Sequence, residues 1–506
     1  MTFLSRGLRL HTFVLVGVVL ALLLLSGFAS SAAYAAKTPP EQQQTVHTTH
    51  GVDPASIRVG SGPLAVAMGD FNGDGKLDLV TANENDDTVT VRLGRGDGTF
   101  APQLTFPVGQ IPNAVAMGDF NGDGKLDLAV SNSGSNTVSV LLGNGDGTFA
   151  PQVTYPVGKT PFAIAVGDFN GDGKLDLAVA NHYGNTVSIL LGKGDGTFAP
   201  QVTYPIGSGS YAIATGDFNG DGKLDLAVTN EYSNTVSVLL GKGDGTFAPQ
   251  VTYPVGSYPT GLAIGDFNGD HIPDLAIANL GDNTVGVLLG KGDGTFAPQI
   301  ISRVGVEPDA IAVGDFNDDG KLDLVTTNFG YGNVSVLLGK GDGTFAPRIT
   351  YSPGRDPVSI AVGDLNGDHI PDLAFANQIE NTVDIYLGKG DGTFKTNTVR
   401  VTGQSIHAIA GTSFTGPVAS VIGAEKASNL TATINWGDGS PHSSGTVSGA
   451  DLYTITGTHT YKTAGTYTIT IIVTDSNLDS TSFGTATATV TSASSLTLSG
   501  QSANAQ

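Results

Sequence analysis

The sequence repeats itself every 49 residues. The nine-residue segment D-F-N-G-D-G-K-L-D begins at Asp70 and returns, with small changes, at Asp119, Asp168, Asp217, Asp266, Asp315 and Asp364. A period of this size marks one supersecondary unit that cannot bury its apolar face alone and does so against its neighbours. Seven such units must stack in a line or close into a ring.

Each unit holds four short apolar runs separated by turn residues. In the third copy they are 152–157, 163–169, 175–181 and 186–191. Runs of six or seven residues rich in Val and Thr predict strands, and none is long enough for an ordinary helix. Four antiparallel strands per unit, seven times over, predict an all-β protein whose residues 54–402 form a seven-bladed β-propeller. Closing the ring removes the exposed sheet edges of an open stack. A row of seven separate sandwiches would need roughly 100 residues per unit. Segments 55–59 and 397–401 both resemble the run that elsewhere follows G-D-G-T-F. One chain end is therefore expected to complete the blade begun by the other, and the sequence leaves open which.

The repeated loop has the oxygen spacing of a calcium site. In D-x-N-x-D-G-x-x-D, side chains at positions 1, 3, 5 and 9 and the carbonyl at position 7 can converge on one cation, with Gly at position 6 permitting the sharp turn. The candidate ligands are Asp70, Asn72, Asp74 and Asp78; Asp119, Asn121, Asp123 and Asp127; Asp168, Asn170, Asp172 and Asp176; and Asp217, Asn219, Asp221 and Asp225. They continue with Asp266, Asn268, Asp270 and Asp274; Asp315, Asn317, Asp319 and Asp323; and Asp364, Asn366, Asp368 and Asp372. Position 12 carries no Glu (Thr81 in the first copy), and the loop joins strands, so it is not an EF-hand. His271 and His369 replace the glycine in copies five and seven, which read D-x-N-G-D-H-I-P-D. They read as turn residues, since calcium prefers oxygen.

The plainer reading of the loop is a hairpin turn built from turn-forming residues. Against it, carboxylates about 5 Å apart repel by roughly 3 kcal/mol per pair at an effective dielectric near 20. The expectation is up to seven structural Ca2+ ions. A later G-D-G-T-F turn adds Asp97, Asp146, Asp195, Asp244, Asp293, Asp342 and Asp391, read as turn residues first and auxiliary ligands second. Acidic residues outnumber Lys and Arg 46 to 24, for a formal charge of −22. Such a surface suits divalent cations and excludes a nucleic-acid partner, which needs a basic patch.

The chain has no cysteine, so neither disulfides nor thiol chemistry is available. Arg6 and Arg9, the apolar run 13–25 and the small-residue stretch 30–36 follow the pattern of a secretory leader over 1–36,. The alternative, an uncleaved membrane anchor, would use a span at the short limit of length. The mature chain, expected to be monomeric and without a membrane span, would then be secreted or held at the cell surface. Residues 37–53 read as a flexible linker, in which His47 and His50 carry no metal. Residues 403–491 leave the period and alternate polar and apolar, as in a separate β-sandwich, and 492–506 read as a disordered tail.

The repeat A-x-G-D-F-N-G-D-G-x-x-D-L followed by G-D-G-T-F resembles the FG-GAP/VCBS repeats of integrin α-subunit propellers. The resemblance implies a seven-bladed propeller whose loop carboxylates bind calcium on one face, with ligands usually engaged elsewhere. Residues 403–491 resemble a PKD-type, immunoglobulin-like domain through N-W-G-D-G at 435–439 and H-T-Y-K-T-A-G-T-Y at 459–467. That resemblance implies a spacer or adhesion module in which Trp436 and Tyr461 are core residues.

Strand alternation puts the calcium loop and the G-D-G-T turn on one rim of the ring. The turns between second and third strands, and the blade-to-blade links, fall on the other. Compared copy against copy, the first rim is nearly invariant and the second varies. The variable turns carry Tyr183, Tyr232, Phe329 and Tyr331, with Tyr211 and Tyr258 in the links, and these residues are the candidate contacts for an extracellular glycan or protein. Neutral drift of unselected loops explains the variation equally well. An enzyme reading would use carboxylates of the same rim, Glu84, Asp87, Glu231, Asp282 and Glu380, as an acid/base pair on a polysaccharide. No nucleophile motif or histidine cluster accompanies them.

Overall fold

In a computed structural model the described residues are 56–354, 356–396, 400–422, 427–450, 452–475 and 480–492. The expected leader, the linker and nearly all of the tail lie outside them.

Six four-stranded antiparallel sheets follow one another along the chain, and a seventh is built from both ends of the repeat region. In blade one the strands are Pro63–Gly69, Asp78–Asn83, Thr88–Arg92 and Leu104–Pro107, paired in that order. The first strand of each blade packs beside the first strands of its two neighbours, and Pro357–Gly363 of blade seven packs beside Pro63–Gly69. The ring is therefore closed and the first strands are innermost. The sheets divide the chain differently from the sequence units: 152–157, read as opening the third unit, holds the outer strand Val153–Pro156 of blade two.

Each second strand, such as Asp176–Asn181, is buried at all six positions. It lies between the sheets on either side, which explains its run of apolar residues without alternation. Seven apolar clusters fill the gaps between blades. The cluster of Phe120, Val138, Val140, Leu177, Val179 and Phe198 joins blades two and three; that of Val66, Leu79, Ala374, Val383 and Ile385 joins seven to one. The phenylalanine of each D-F-N loop meets the phenylalanine of the next blade's G-D-G-T-F edge-to-face. Phe169 and Phe247 stand 5.7 Å apart at 65°, and Tyr204 adds a third ring at 5.5 Å from Phe247.

The N-terminal end closes the ring. Ile57–Arg58 pairs with Val383 and Thr382 as the outer strand of blade seven. Ser56 Oγ donates to Asp384 Oδ1 at 2.5 Å, and the Gly62 amide donates to Asn381 Oδ1 at 2.7 Å. Phe394–Thr396 occupies only the far half of the same third strand, and Arg400–Gly403 belongs to another sheet.

That sheet has eight strands curled around one core. Its order is Arg400–Gly403, Ser413–Ile422, Leu452–Thr460, Ser443–Ala450, Leu430–Asn435, Gly465–Asp475, Ser480–Thr491 and, in parallel, Ile406–Ile409. The strand Ser443–Ala450 changes partner midway: residues 443–445 pair with Leu430–Asn435 and residues 446–450 with Leu452–Thr460. Trp436 and Tyr461 are fully buried, as the sequence led us to expect. The Trp436 indole donates to Ser443 Oγ at 2.8 Å and the Tyr461 hydroxyl to the Trp436 carbonyl at 3.2 Å. Burial pushes the Tyr461 hydroxyl up to about 12. Two hydrogen bonds from Ser440 and one from the His459 ring hold the Asp438 carboxyl down at about 2.

Candidate functional site

On the invariant rim, blade three shows how the acidic loop folds. Asp168 Oδ1 accepts the amides of Gly171 (2.8 Å) and Asp172 (3.2 Å), and Oδ2 accepts Gly173 (2.8 Å). Asn170 Oδ1 accepts the Asp172 amide at 2.9 Å, and Asp172 Oδ1 accepts Lys174 at 3.0 Å. Left-handed turns at Gly171 and Gly173 point these amides inward,. Four loop amides, that of Asp172 shared between two acceptors, and the Lys174 ammonium, 3.3 Å from Asp172, thus offset part of the charge crowding. The same bonds recur around Asp70, Asn72 and Asp74, around Asp119, Asn121 and Asp123, and around Asp217, Asn219 and Asp221.

The loops with histidine fold the same way. His271 and His369 take left-handed φ of 65° and 66°, and their amides donate to Asp266 and Asp364 Oδ2 at 2.8 Å. Asn268, Asp270, Asn366 and Asp368 keep the pattern. Loop six also departs: Asp318, at φ 56°, stands where the other copies have Gly, yet Asp315, Asn317 and Asp319 hold their amides.

The ninth position does something its spacing did not reveal. Asp176 is fully buried. Its Oδ2 accepts the Phe169 amide (2.9 Å) and its Oδ1 the Gly192 amide (2.7 Å), so one carboxylate ties the loop entry, the second strand and the end of the third. A Cβ at Gly192 would strike the Leu175 carbonyl, so only glycine lets that amide approach. Asp78, Asp127, Asp225, Asp274, Asp323 and Asp372 make the same two bonds. Burial, helped by the negative charges at positions 1 and 5, pushes Asp78, Asp274 and Asp372 up to about 6, and raises the other four as well.

These residues suit a hard cation in donor chemistry: carboxylate and amide oxygens with lone pairs to spare, one of them in a buried site where ionisation is otherwise penalised. Among the described residues, no three His, Cys, Asp or Glu side chains stand close enough to hold an ion as they are. Binding would require the position 3 amide oxygen and the position 5 carboxylate to draw in toward the carboxylates of positions 1 and 9.

The G-D-G-T turn completes this rim. Asp195 Oδ1 accepts the Thr197 amide (2.9 Å) and hydroxyl (2.6 Å), and all seven copies share this turn bond. The second glycine reaches across the seam: the Gly196 amide donates to the Phe120 carbonyl of the preceding blade at 2.9 Å, and Gly98 donates likewise to Leu365 across the closure.

The variable rim is held differently. Asp87, Asn136, Asn185, Asn234, Asn283 and Asn381 occupy the same left-handed turn position. Each accepts an amide from the following link, those of Ile111, Thr160, Gly209, Tyr258, Glu307 and, across the closure, Gly62. Ile111, Thr160, Tyr258, Glu307 and Asp356 themselves sit at φ of 51–57°, a strained conformation for residues with a side chain.

Tyr183, Tyr232 and Tyr331 are exposed at 49%, 47% and 65%. Phe329 and Tyr258 are half-buried. Tyr211 corrects the sequence reading, for it lies on the innermost strand Ser210–Gly216 and not in a link, and is buried. A register shift at the start of that strand re-aims it,. Its hydroxyl donates to Asp309 of blade six at 2.8 Å, bypassing blade five, so the bond crosses the axial channel. Beside it, buried His182 stacks on Phe162 at 4.3 Å and contacts Tyr232 Oη at 3.1 Å and Glu231 Oε2 at 3.6 Å. Of the acids named for an enzyme reading, Asp87 and Asp282 accept link amides, and Glu84 accepts Gln378 Nε2. Glu231 is buried against His182 and Glu380 faces the link glycine Gly354.

The profile of the FG-GAP-like repeat matches six overlapping windows: 70–130, 119–179, 168–228, 217–277, 266–326 and 315–375, more than half of the chain. This chain belongs to the FG-GAP-like repeat family. Each window runs from one acidic loop into the second strand of the next blade, so the FG-GAP profile spans a seam. Comparison with curated proteins gave no match. Among solved structures, a functionally unknown protein from Desulfotomaculum acetoxidans is 13% identical with a TM-score of 0.47, covering 62% of this chain and 93% of its own. A periplasmic gluconolactonase from Pseudomonas aeruginosa is 18% identical (TM-score 0.44, 58% and 86% covered). The biofilm matrix protein Bap1 from V. cholerae is 15% identical (0.36, 68% and 90%). Likenesses this slight transfer no activity to the FG-GAP chain.

Proposed function

We propose that the protein is an exported, calcium-stabilised binding module that engages a glycan or protein ligand on its variable rim. The contrast between the rims supports this reading above all. The invariant rim repeats one set of hydrogen bonds seven times, whereas the opposite rim varies in every turn and presents Tyr183, Tyr232 and Tyr331 to solvent. Scaffold loops that differ while their anchoring bonds stay fixed are where recognition is built, and tyrosine offers a large apolar face with a polar tip.

Calcium would be held by the D-x-N-x-D side chains, with the ninth-position carboxylate behind them. It would neutralise the loop charge and stiffen the seam to the next blade. In this reading the C-terminal sheet is a PKD-type spacer or adhesion module.

The test is a glycan and extracellular-protein array probed with the full chain, with and without calcium, beside the triple variant Tyr183→Ala/Tyr232→Ala/Tyr331→Ala. A ligand bound by the wild type and lost at least tenfold by the variant supports the rim. Undiminished binding by the variant refutes it.

A further inference from the structure

We propose a second site, for the carboxylate of a uronic-acid saccharide, in the cleft between the outer parts of blades five and six. The cleft has a volume of about 470 Å³ and is lined by Asn283, Arg303, Val304, Val306, Pro347 and Arg348.

Both arginines are departures from the repeat. Arg303 ends an outer strand opposite Thr284, where blades one to four place Pro107, Pro156, Pro205 and Pro254 opposite their threonines. Arg348 stands where the preceding blades have glutamine. Gln152, Gln201 and Gln250 each accept a hydrogen bond at 2.5 Å from the serine of the neighbouring strand. A guanidinium has no acceptor atom, so Arg348 cannot take that bond from Ser335. Ser335 Oγ keeps the two bonds its counterparts also accept, from the Gly305 amide and Asn328 Nδ2, and Arg348 lines the cleft. Both arginines are exposed, and no described ion pair involves either one.

In a chain of formal charge −22, two uncompensated guanidiniums on one cleft mark a local preference for an anion. Arginine forks match a planar carboxylate with two parallel bonds. The Asn283 side-chain oxygen is taken by the Glu307 amide at 2.8 Å, which leaves its NH2 to donate to a hydroxyl. Val306 and Pro347 offer apolar surface to the C–H face of a sugar ring. A carboxylate, hydroxyls and an apolar face together describe a hexuronate. The strongly negative remainder of the protein limits the ligand to a short segment or chain end.

The site stands apart from Tyr183 and Tyr232 of blades three and four, whereas Tyr331 of blade six neighbours it through Gly330 and Val306. The double variant Tyr183→Ala/Tyr232→Ala is therefore the one that reads the rim separately from the cleft. The test is titration calorimetry of the full chain at low ionic strength in calcium buffer, with digalacturonate, maltose and inorganic sulfate as probes. The variant Arg303→Pro/Arg348→Gln restores residues that other blades carry, and its melting curve checks that it folds. Digalacturonate binding the wild type at least tenfold more tightly than the variant, with maltose silent and sulfate at least tenfold weaker, supports the site. Equal binding by both proteins, or none by the wild type, overturns it. Sulfate binding as tightly as digalacturonate overturns the saccharide.

Discussion

Replacing Asp176 by alanine isolates what the ninth-position carboxylate does without metal. The substitution removes the acceptors of two buried amides, Phe169 at 2.9 Å and Gly192 at 2.7 Å. Each orphaned amide costs about 1–3 kcal/mol. Working against this, burial raises the Asp176 carboxyl, so the wild type already bears a penalty for its ionised form near neutrality. A net loss near the low end, about 2–4 kcal/mol, is expected. Asp176→Asn keeps one oxygen for one amide and turns an NH2 toward the other, for a loss of about 1–2 kcal/mol. The assay is urea unfolding followed by far-UV circular dichroism in excess chelator, because the single tryptophan, Trp436, reports on the C-terminal sheet and not on the ring. An alanine variant within about 0.5 kcal/mol of wild type in chelator would refute the clasp. A loss seen only when calcium is present would make this carboxylate a ligand and nothing more.

Three further outcomes are expected. Chelation should lower the melting temperature by many degrees, since at about 1 mM calcium and a Kd of about 0.1 mM each occupied loop contributes roughly 1.4 kcal/mol; an unchanged melt sinks the calcium reading. His271→Gly should stabilise the protein by about 1 kcal/mol, because the loop already holds that residue at φ 65°,; destabilisation in chelator would contradict it. Burial raises the Asp384 carboxyl at the ring closure. Its contribution is therefore complete below the unfolded carboxylate value, about 4, and fades as pH rises through the higher folded one. The stability of wild type relative to Asp384→Asn should thus fall with rising pH in denaturant titrations, and a relative gain would reverse the assignment.

Much of the ring was legible because its signals are local. A buried six-residue run between two turns can only be a strand, and D-x-N-x-D-G folds its own amides onto its own carboxylates. What stayed hidden depends on partners far along the chain. Phe71 meets Phe149, which lies in the following blade, and nothing near either residue announces the pair. A periodic chain does not say where to cut it, so only the pairing of Ile57–Arg58 with Val383 and Thr382 shows which end closes the ring. Tyr211 read as a link residue because the register shift that turns it toward Asp309 has no residue signature. The left-handed links were equally silent, since Ile111, Thr160, Tyr258, Glu307 and Asp356 share no side-chain chemistry.

Those links bear on whether the variable rim is selected or merely tolerated. In the ones tied to the preceding turn that bond uses the main-chain amide, so the bond leaves the identity of the side chain open. The choice is not without cost: a residue with a Cβ in the left-handed region gives up roughly 1–2 kcal/mol relative to glycine. Glycine is available to this chain and occupies the same position in two blades, as Gly62 and Gly209. Five blades nonetheless carry a larger residue there, half-buried at its root and at the edge of the solvent-facing turns. Glycine would relieve that strain, but it also loses more conformational entropy on folding, so the net pull toward it at these positions is small. On the proposed reading, side chains that reach a ligand would tip this balance toward the larger residue, and Tyr258→Gly, read by ligand binding as well as by stability, separates that from neutral drift.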